Sequence, residues 1–299
     1  MRPTLRRGAT VGVAALSSAF DADRLERGIR GLEGLGYRVR RATNLGARWR
    51  TFAGTDELRL AAFHDLVCDP EVEGVFFARG GHGVLRLMDR IDWELIAARP
   101  KVYVGYSDLT PLLLHLAGRL GIVSFHGPLV AGELERGLDP TELDSLRRML
   151  EDDGELRLDC IPGAAAKARG PIEGTLMGGC LTLLTSLLDT AYFPNLDGAV
   201  LFLEDVNEPF YRLDRMLTHL RMSGRLDGVK AMILGHLEAV DRPASESFGR
   251  TESIARDLES IAPVAWGVAF GHGAPNLTLP LGLTAHLDPE RCELRIPGN

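Results

Sequence analysis

The sequence predicts an α/β protein: an N-terminal, mainly parallel sheet flanked by helices, then a smaller C-terminal domain of mixed strands and helices, with a site at the domain interface. Three observations carry this. Short apolar runs alternate with amphipathic ones through the first ~130 residues, the pattern of strand–helix crossovers and a parallel sheet. A length of 299 residues is long for one core and suits two. The texture changes after "IPGAAAKARGPIEG", a stretch rich in Gly, Ala and Pro that lacks periodicity and reads as a linker. The boundaries expected are 1–135 for the N-terminal domain, 136–172 for the linker region and 173–299 for the C-terminal domain.

Taken in order, "TVGVAAL" (10–16) is a buried first strand. "DADRLERGIRGLEGLG" (21–36) sets Leu25, Ile29, Leu32 and Leu35 on one helical face. "YRVRRA" follows as a strand and "DELRLAAFHDLVCD" as a helix; "GVFFA" (74–78), "VYVGY" and "IVSFHG" are the next strands. The second domain offers "TLMGGCLTLLTSLL", the strand "AVLFLE" (199–204), a helix over 209–223, the strand "VKAMILG", a helix near 251–261 and short terminal strands. In such a sheet the site lies at the carboxyl ends of the strands, which is where "RGGHG", Ser107 and His126 fall.

Composition excludes several classes. Hydrophobic residues at 45% and charged residues at 25% are those of a folded globular protein, and 34 Lys plus Arg against 41 Asp plus Glu argues against a nucleic-acid or membrane-surface partner. Cys68, Cys160, Cys180 and Cys292 form no CxxC pair, so neither a zinc site nor a disulfide framework is indicated, and a reducing compartment is expected. "MRPTLRR" before "GATVGVAALSSAF" has the charge order of a signal peptide, but the apolar run is short and serves better as the first strand. No run approaches the roughly 18 apolar residues of a membrane span.

Four stretches carry candidate chemistry. In "VYVGYSDLTPLLLHL" a buried strand ends at a Gly, Ser107 stands at the tip of a tight turn, and an apolar helix follows. Ser107 is either a helix cap or a nucleophile; the G-x-S-x-G elbow is broken by Leu109, while Thr110 before Pro111 competes for the cap. In "ARGGHGVLRL" adjacent glycines let backbone N–H groups converge on an anion, a phosphate or an acyl-transfer oxyanion, or else simply make a turn. Glu204 ends a wholly apolar strand and suits the support of a histidinium; with Asp205 and Glu208 it is alternatively a helix-start carboxylate or part of a metal site. His272, between two glycines in "AFGHGAPNLTLPLG", is the best general-base candidate, with His126 behind it. The chain order Ser, Glu, His is also that of α/β-hydrolases.

With these residues in view the chain resembles the serine-type LD-carboxypeptidase family, which also contains the microcin C immunity proteins. The matches are "RGGHG" against a pattern usually read as RGGYG, "GYSD" around Ser107, "FLEDVNEPFYRLDRML" around Glu204 and "GHGAPNLTLPLG" around His272, in order over nearly the whole chain. The resemblance implies a triad of Ser107 as nucleophile, His272 as base and Glu204 as the orienting group. It also implies an oxyanion hole from backbone N–H groups near Gly81 and at Asp108, a cytoplasmic enzyme, commonly a homodimer, and no metal or cofactor. The substrate implied is a murein tetrapeptide, cleaved at the bond before its terminal D-alanine. Two departures bear on fine specificity: His82 replaces the usual Tyr, and Cys180 stands where Asn is frequent. Arg79 or Arg212 would neutralise the substrate's carboxylate, with Gly80, His82 and Cys180 near it. Rival expectations are amide cleavage in a peptidyl-nucleotide, a non-catalytic small-molecule binding protein, and a carboxylate-bound metal hydrolase.

Overall fold

The computed structural model describes residues 4–151, 154–237, 239–241 and 250–298; the first three residues of the basic N-terminal stretch and residues 152–153 of the expected linker lie outside these. The chain forms two compact units, Met1–Asp153 with Thr278–Pro280, and Gly154–Leu277 with Leu281–Asn299.

In the first unit, β1 (Thr10–Ala14), β2 (Arg38–Arg41), β3 (Val72–Phe77), β4 (Val102–Gly105) and β5 (Ser124–His126) are parallel, in the spatial order β5-β4-β3-β1-β2. Every residue of β1, β4 and β5 is buried, as strands covered on both faces require. The chain leaves β1 to one side for β2 and returns on the other for β3, so the order reverses between β1 and β3. The carboxyl ends of those two strands open the crevice in which such folds place their sites.

Helices α1 (Ala22–Gly34), α2 (Asp56–Cys68), α3 (Trp93–Ala98) and α4 (Thr110–Leu120) make the crossovers. Asp21 caps α1 by accepting from Arg24 N, and Thr55 caps α2 by accepting from Leu58 N. Helix α1 lies against the segment after β5, where Val130 N donates to Phe77 O and Ala131 N to Ala78 O. At the crossing, a Cβ on Gly28 would stand 1.7 Å from the carbonyl oxygen of Val130. Gly28→Ala is therefore expected to cost about 2–4 kcal/mol, since backbone rather than a flexible side chain must give way. Calorimetry of the variant checks this; an unchanged Tm would show that helix and segment separate freely.

The region expected as a linker contains regular elements: α6 (Pro140–Leu150), β6 (Leu156–Asp159), β7 (Ile161–Pro162) and α7 (Ala164–Arg169), with the short α5 (Glu133–Arg136) just before it. Asp139 and Glu142 close a capping box over α6. Pro162 lies in β7, which is at the edge of a sheet, where a missing N–H is tolerated.

The second unit adds β8 (Ile172–Cys180), α8 (Leu181–Ser186), β9 (Ala199–Glu204), α9 (Phe210–Met222), β10 (Ala231–Leu234), α10 (Thr251–Leu258) and β11 (Val264–Trp266). Of the three last strands, β12 (Leu279–Leu281) forms the outer edge of the first sheet beside β5, while β13 (Thr284–Asp288) and β14 (Glu293–Ile296) belong to the second. The second sheet runs β6-β14-β13-β8-β9-β10-β11-β7, with β8 to β11 parallel and the flanking pairs antiparallel. Strand β9 is buried throughout, and Glu204 at its carboxyl end is paired in register with Cys180. No helix among the described residues is long and apolar enough to cross a membrane.

Candidate active site

In the first unit, Ser107 follows β4 with φ +63°, a left-handed conformation that is costly for a residue with a Cβ. A Cβ on Gly80 would stand 2.8 Å from Ser107 Cβ and 2.9 Å from Ser107 Oγ, so the turn can approach only as glycine. Neither Ser107 nor Thr110 caps α4. The helix opens from a 3₁₀ turn over Ser107–Leu109, with Leu109 at the N-cap position and no side-chain cap bond, contrary to the expectation for Thr110. Tyr106, the residue before Ser107, is anchored by its hydroxyl, which donates to the buried Glu133 at 2.7 Å.

The glycine turn is held from three sides. Ser18 N donates to Gly80 O at 3.3 Å, and Ser18 Oγ accepts from His82 N at 3.2 Å. The ring of His82 lies between Ser18 Oγ, 3.1 Å from Nδ1, and Thr51 Oγ1, 3.0 Å from Nε2, and packs on Phe52. Val84 N donates to Asp108 Oδ2 at 2.9 Å, tying the residue after Ser107 to the end of the same turn. Burial raises the Asp108 carboxyl above its usual range, against the opposing pull of that bond. Gly81, with φ +104°, is exposed at the tip. Arg79 is exposed and donates to Ala19 O at 2.6 Å. His126 is buried beside Tyr106 at a ring separation of 5.1 Å, which places it in the core.

In the second unit, Glu204 Oε2 accepts two bonds from His272, one from Nδ1 at 2.7 Å and one from the backbone N at 3.1 Å. Glu204 is fully buried and His272 is partly exposed. An ionised carboxylate can only accept, so in this pairing a neutral imidazole donates from Nδ1. The approach depends on Gly271: at φ +95°, its Cβ would stand 2.5 Å from Glu204 Oε2. Asn276 holds the loop by accepting from Gly271 N at 2.8 Å.

Asp205 and Glu208 do not join Glu204 in a metal cluster; among the described residues no group of three or more His, Cys, Asp or Glu side chains is arranged to hold a metal ion. Asp205 accepts from Thr182 N and Thr182 Oγ1, both at 2.8 Å, at the start of α8 rather than of α9. Glu208 pairs with Arg212 at 2.7 Å, so that Arg already has a counter-ion. Cys180 is buried with Sγ 3.7 Å from Asp205 Oδ1. Burial, then the adjacent Glu204 and Asp205 carboxylates, pushes its thiol well above the ordinary value, so it stays protonated and does not compete as a nucleophile.

Sequence reading missed Ser18, Thr51, Glu133 and Asn276, whose polar side chains hold the turns on which the candidates sit. Asn276 stood inside a quoted motif, four residues beyond His272. The others carry no local signal, because each acts through a residue distant in the chain.

Residues 11–127 match the N-terminal domain of LD-carboxypeptidases and residues 173–287 their C-terminal domain. A Streptomyces coelicolor protein provisionally named as a carboxypeptidase is 39% identical over 298 residues, covering 97% of this chain and 94% of its own. The murein tetrapeptide carboxypeptidase of Pseudomonas aeruginosa is 34% identical over 299 residues, 94% of each chain. The crystal structure of muramoyltetrapeptide carboxypeptidase from Oxalobacter formigenes superposes with a TM-score of 0.87 at 30% identity, covering 97% of this chain and 99% of that one. With both halves matched in order and full-length relatives above 30% identity, the chain belongs to the LD-carboxypeptidase family of serine peptidases.

Proposed function

We propose that the protein is a cytoplasmic carboxypeptidase that removes the terminal D-alanine from murein tetrapeptides, with Ser107 as nucleophile, His272 as base and Glu204 as its orienting group. The observation that carries this reading is the buried Glu204 carboxylate accepting both Nδ1–H and the backbone N–H of His272. That arrangement leaves Nε2 to take a proton, which is what a general base requires. Ser107 Oγ attacks the carbonyl before the D-residue while its proton passes to Nε2. The backbone N–H groups of Gly81 and Asp108 stabilise the developing oxyanion. The imidazolium then protonates the leaving amine of D-alanine, and water, deprotonated by the same nitrogen, releases the acyl group from Ser107.

The leaving residue carries a carboxylate. Since Arg212 is paired with Glu208, the exposed Arg79 beside the glycine turn is the better cation for it. Arg79→Ala is expected to raise KM about 10-fold with a smaller change in kcat, the signature of lost binding shared by ground and transition states. An unchanged KM would remove Arg79 from that role.

A reducing compartment agrees with four free cysteines among the described residues. The family resemblance further implies a homodimer, which light scattering of the purified protein tests. The deciding experiment for function is D-alanine release from a murein tetrapeptide, with Ser107→Ala and added chelator in parallel. Release that survives chelator and disappears in Ser107→Ala supports the reading. A folded protein that releases nothing, but cleaves a peptidyl-nucleotide amide, would redirect it to the immunity-type substrate.

A further inference from the structure

Arg59 is among the largest fully buried side chains in the protein. A guanidinium does not shed its charge at any ordinary pH, so a buried one needs a counter-ion and a partner for its N–H groups. Nη2 donates to Asp56 Oδ1 at 2.6 Å. Nη1 donates to two backbone carbonyls, Gly83 O at 3.2 Å and Leu16 O at closer range. The guanidinium lies 4.8 Å over the ring of Phe52, and Nε lacks a hydrogen-bond partner among the described residues. Asp56 also accepts from Arg86 at 2.7 Å, so the counter-ion is shared with the residue three beyond Gly83.

The two carbonyls matter because of what adjoins them. Leu16 leads into Ser18, whose N–H donates to Gly80 O and whose hydroxyl would be 2.4 Å from a Cβ on Gly81. Gly83 closes the glycine turn on its other side, and its own Cβ would stand 2.7 Å from Arg59 Nη1. The guanidinium therefore sets the separation of the two segments that bracket the Gly81 N–H. An apolar side chain would fill the same volume with less desolvation, but it could not hold two carbonyls at a fixed angle.

We propose that Arg59, neutralised by Asp56, is a positioning residue for the oxyanion site: it fixes the Leu16 and Gly83 carbonyls and thereby aims the Gly81 N–H. The proposal rests on the reading of Gly81 N–H as an oxyanion donor. It touches no substrate, so its signature is a change in kcat without a change in binding. A misplacement of about 1 Å at such a donor costs on the order of 10²-fold in rate.

The test uses Arg59→Met, which fills the space, and Arg59→Lys, which keeps the charge beside Asp56 but cannot span both carbonyls. Folding is checked by circular dichroism, and Arg59→Lys supplies the folded variant if Arg59→Met does not. The expected result is a fall of about 10²-fold in kcat for D-alanine release, KM within about three-fold of the parent, and a matching slowing of Ser107 phosphonylation by a fluorophosphonate. In Arg59→Ala, added methylguanidinium should restore part of kcat. A folded Arg59→Lys with kcat within about three-fold of the parent, or a loss expressed equally in KM, overturns the proposal. Ser107→Ala in the same assay separates the two layers. If it retains activity, the serine reading fails whatever Arg59 does; if it is inactive while Arg59→Lys is normal, only the positioning role fails.

Discussion

Ser107→Ala is expected to lower kcat for D-alanine release by about 10⁴-fold or more, and His272→Ala by a similar factor, with the double variant little worse than either single one. The non-additivity follows from the roles. Without the hydroxyl the imidazole has no proton to take; without the imidazole the hydroxyl attacks as a neutral alcohol. Each loss removes the same covalent step, and the residual rate comes from binding and the oxyanion donors. Ser107 contributes little to stability by capping, because the helix after it opens without a side-chain cap. Its replacement should in fact relieve nothing at the backbone, since Ala meets the same penalty as Ser at φ +63°. A melting temperature near that of the parent, beside an activity loss of this size, is the combined outcome that identifies a nucleophile. Full activity in Ser107→Ala would end the serine mechanism for this chain.

What was legible beforehand follows from the physics of each element. Strand β9 occupies 199–204 as its apolar run predicts, and α9 spans Phe210–Met222 against an expected 209–223, because strong periodicity and burial act locally. The segment "IPGAAAKARGPIEG" misleads because Gly and Pro read as irregular, whereas Pro162 sits on an edge strand and the alanines form α7. Arg59 shows a subtler gap. It falls on the stripe of Asp56, Leu60, Phe63 and Leu66 that α2 buries. A residue-by-residue hydropathy reading turns a basic residue outward because it does not register a counter-ion three positions away. The Glu204–His272 pairing was carried by the family motifs and by no local pattern. The residues are separated by 68 positions, and the loop carrying His272 takes its shape from Asn276 bonding to Gly271 rather than from any period.

That same bond makes Glu204→Gln informative. In chymotrypsin-type triads, Asp-to-Asn replacement costs about 10⁴-fold because the new amide donates to the histidine and imposes the wrong tautomer. Here one oxygen, Oε2, accepts from both Nδ1 and the backbone N–H of His272, while Oε1 is buried with no hydrogen-bond partner among the described residues. A glutamine that turned its NH₂ toward His272 would set two donors against the fixed backbone N–H. It should therefore keep its carbonyl oxygen at the Oε2 position and its NH₂ at the Oε1 position, preserving the Nδ1–H tautomer. An unsatisfied buried NH₂ costs about 1–3 kcal/mol of stability. What is lost catalytically is the negative charge that stabilises the imidazolium, so kcat should fall about 10³-fold, short of the tautomer-inverted case. ¹⁵N shifts of the His272 ring decide between the two accounts. A proton retained on Nδ1 with the smaller loss supports the geometry described; a proton moved to Nε2 with a 10⁴-fold loss means the amide has flipped and the backbone N–H has given way. Activity equal to that of the parent would leave Glu204 a structural carboxylate and His272 a base that needs no partner.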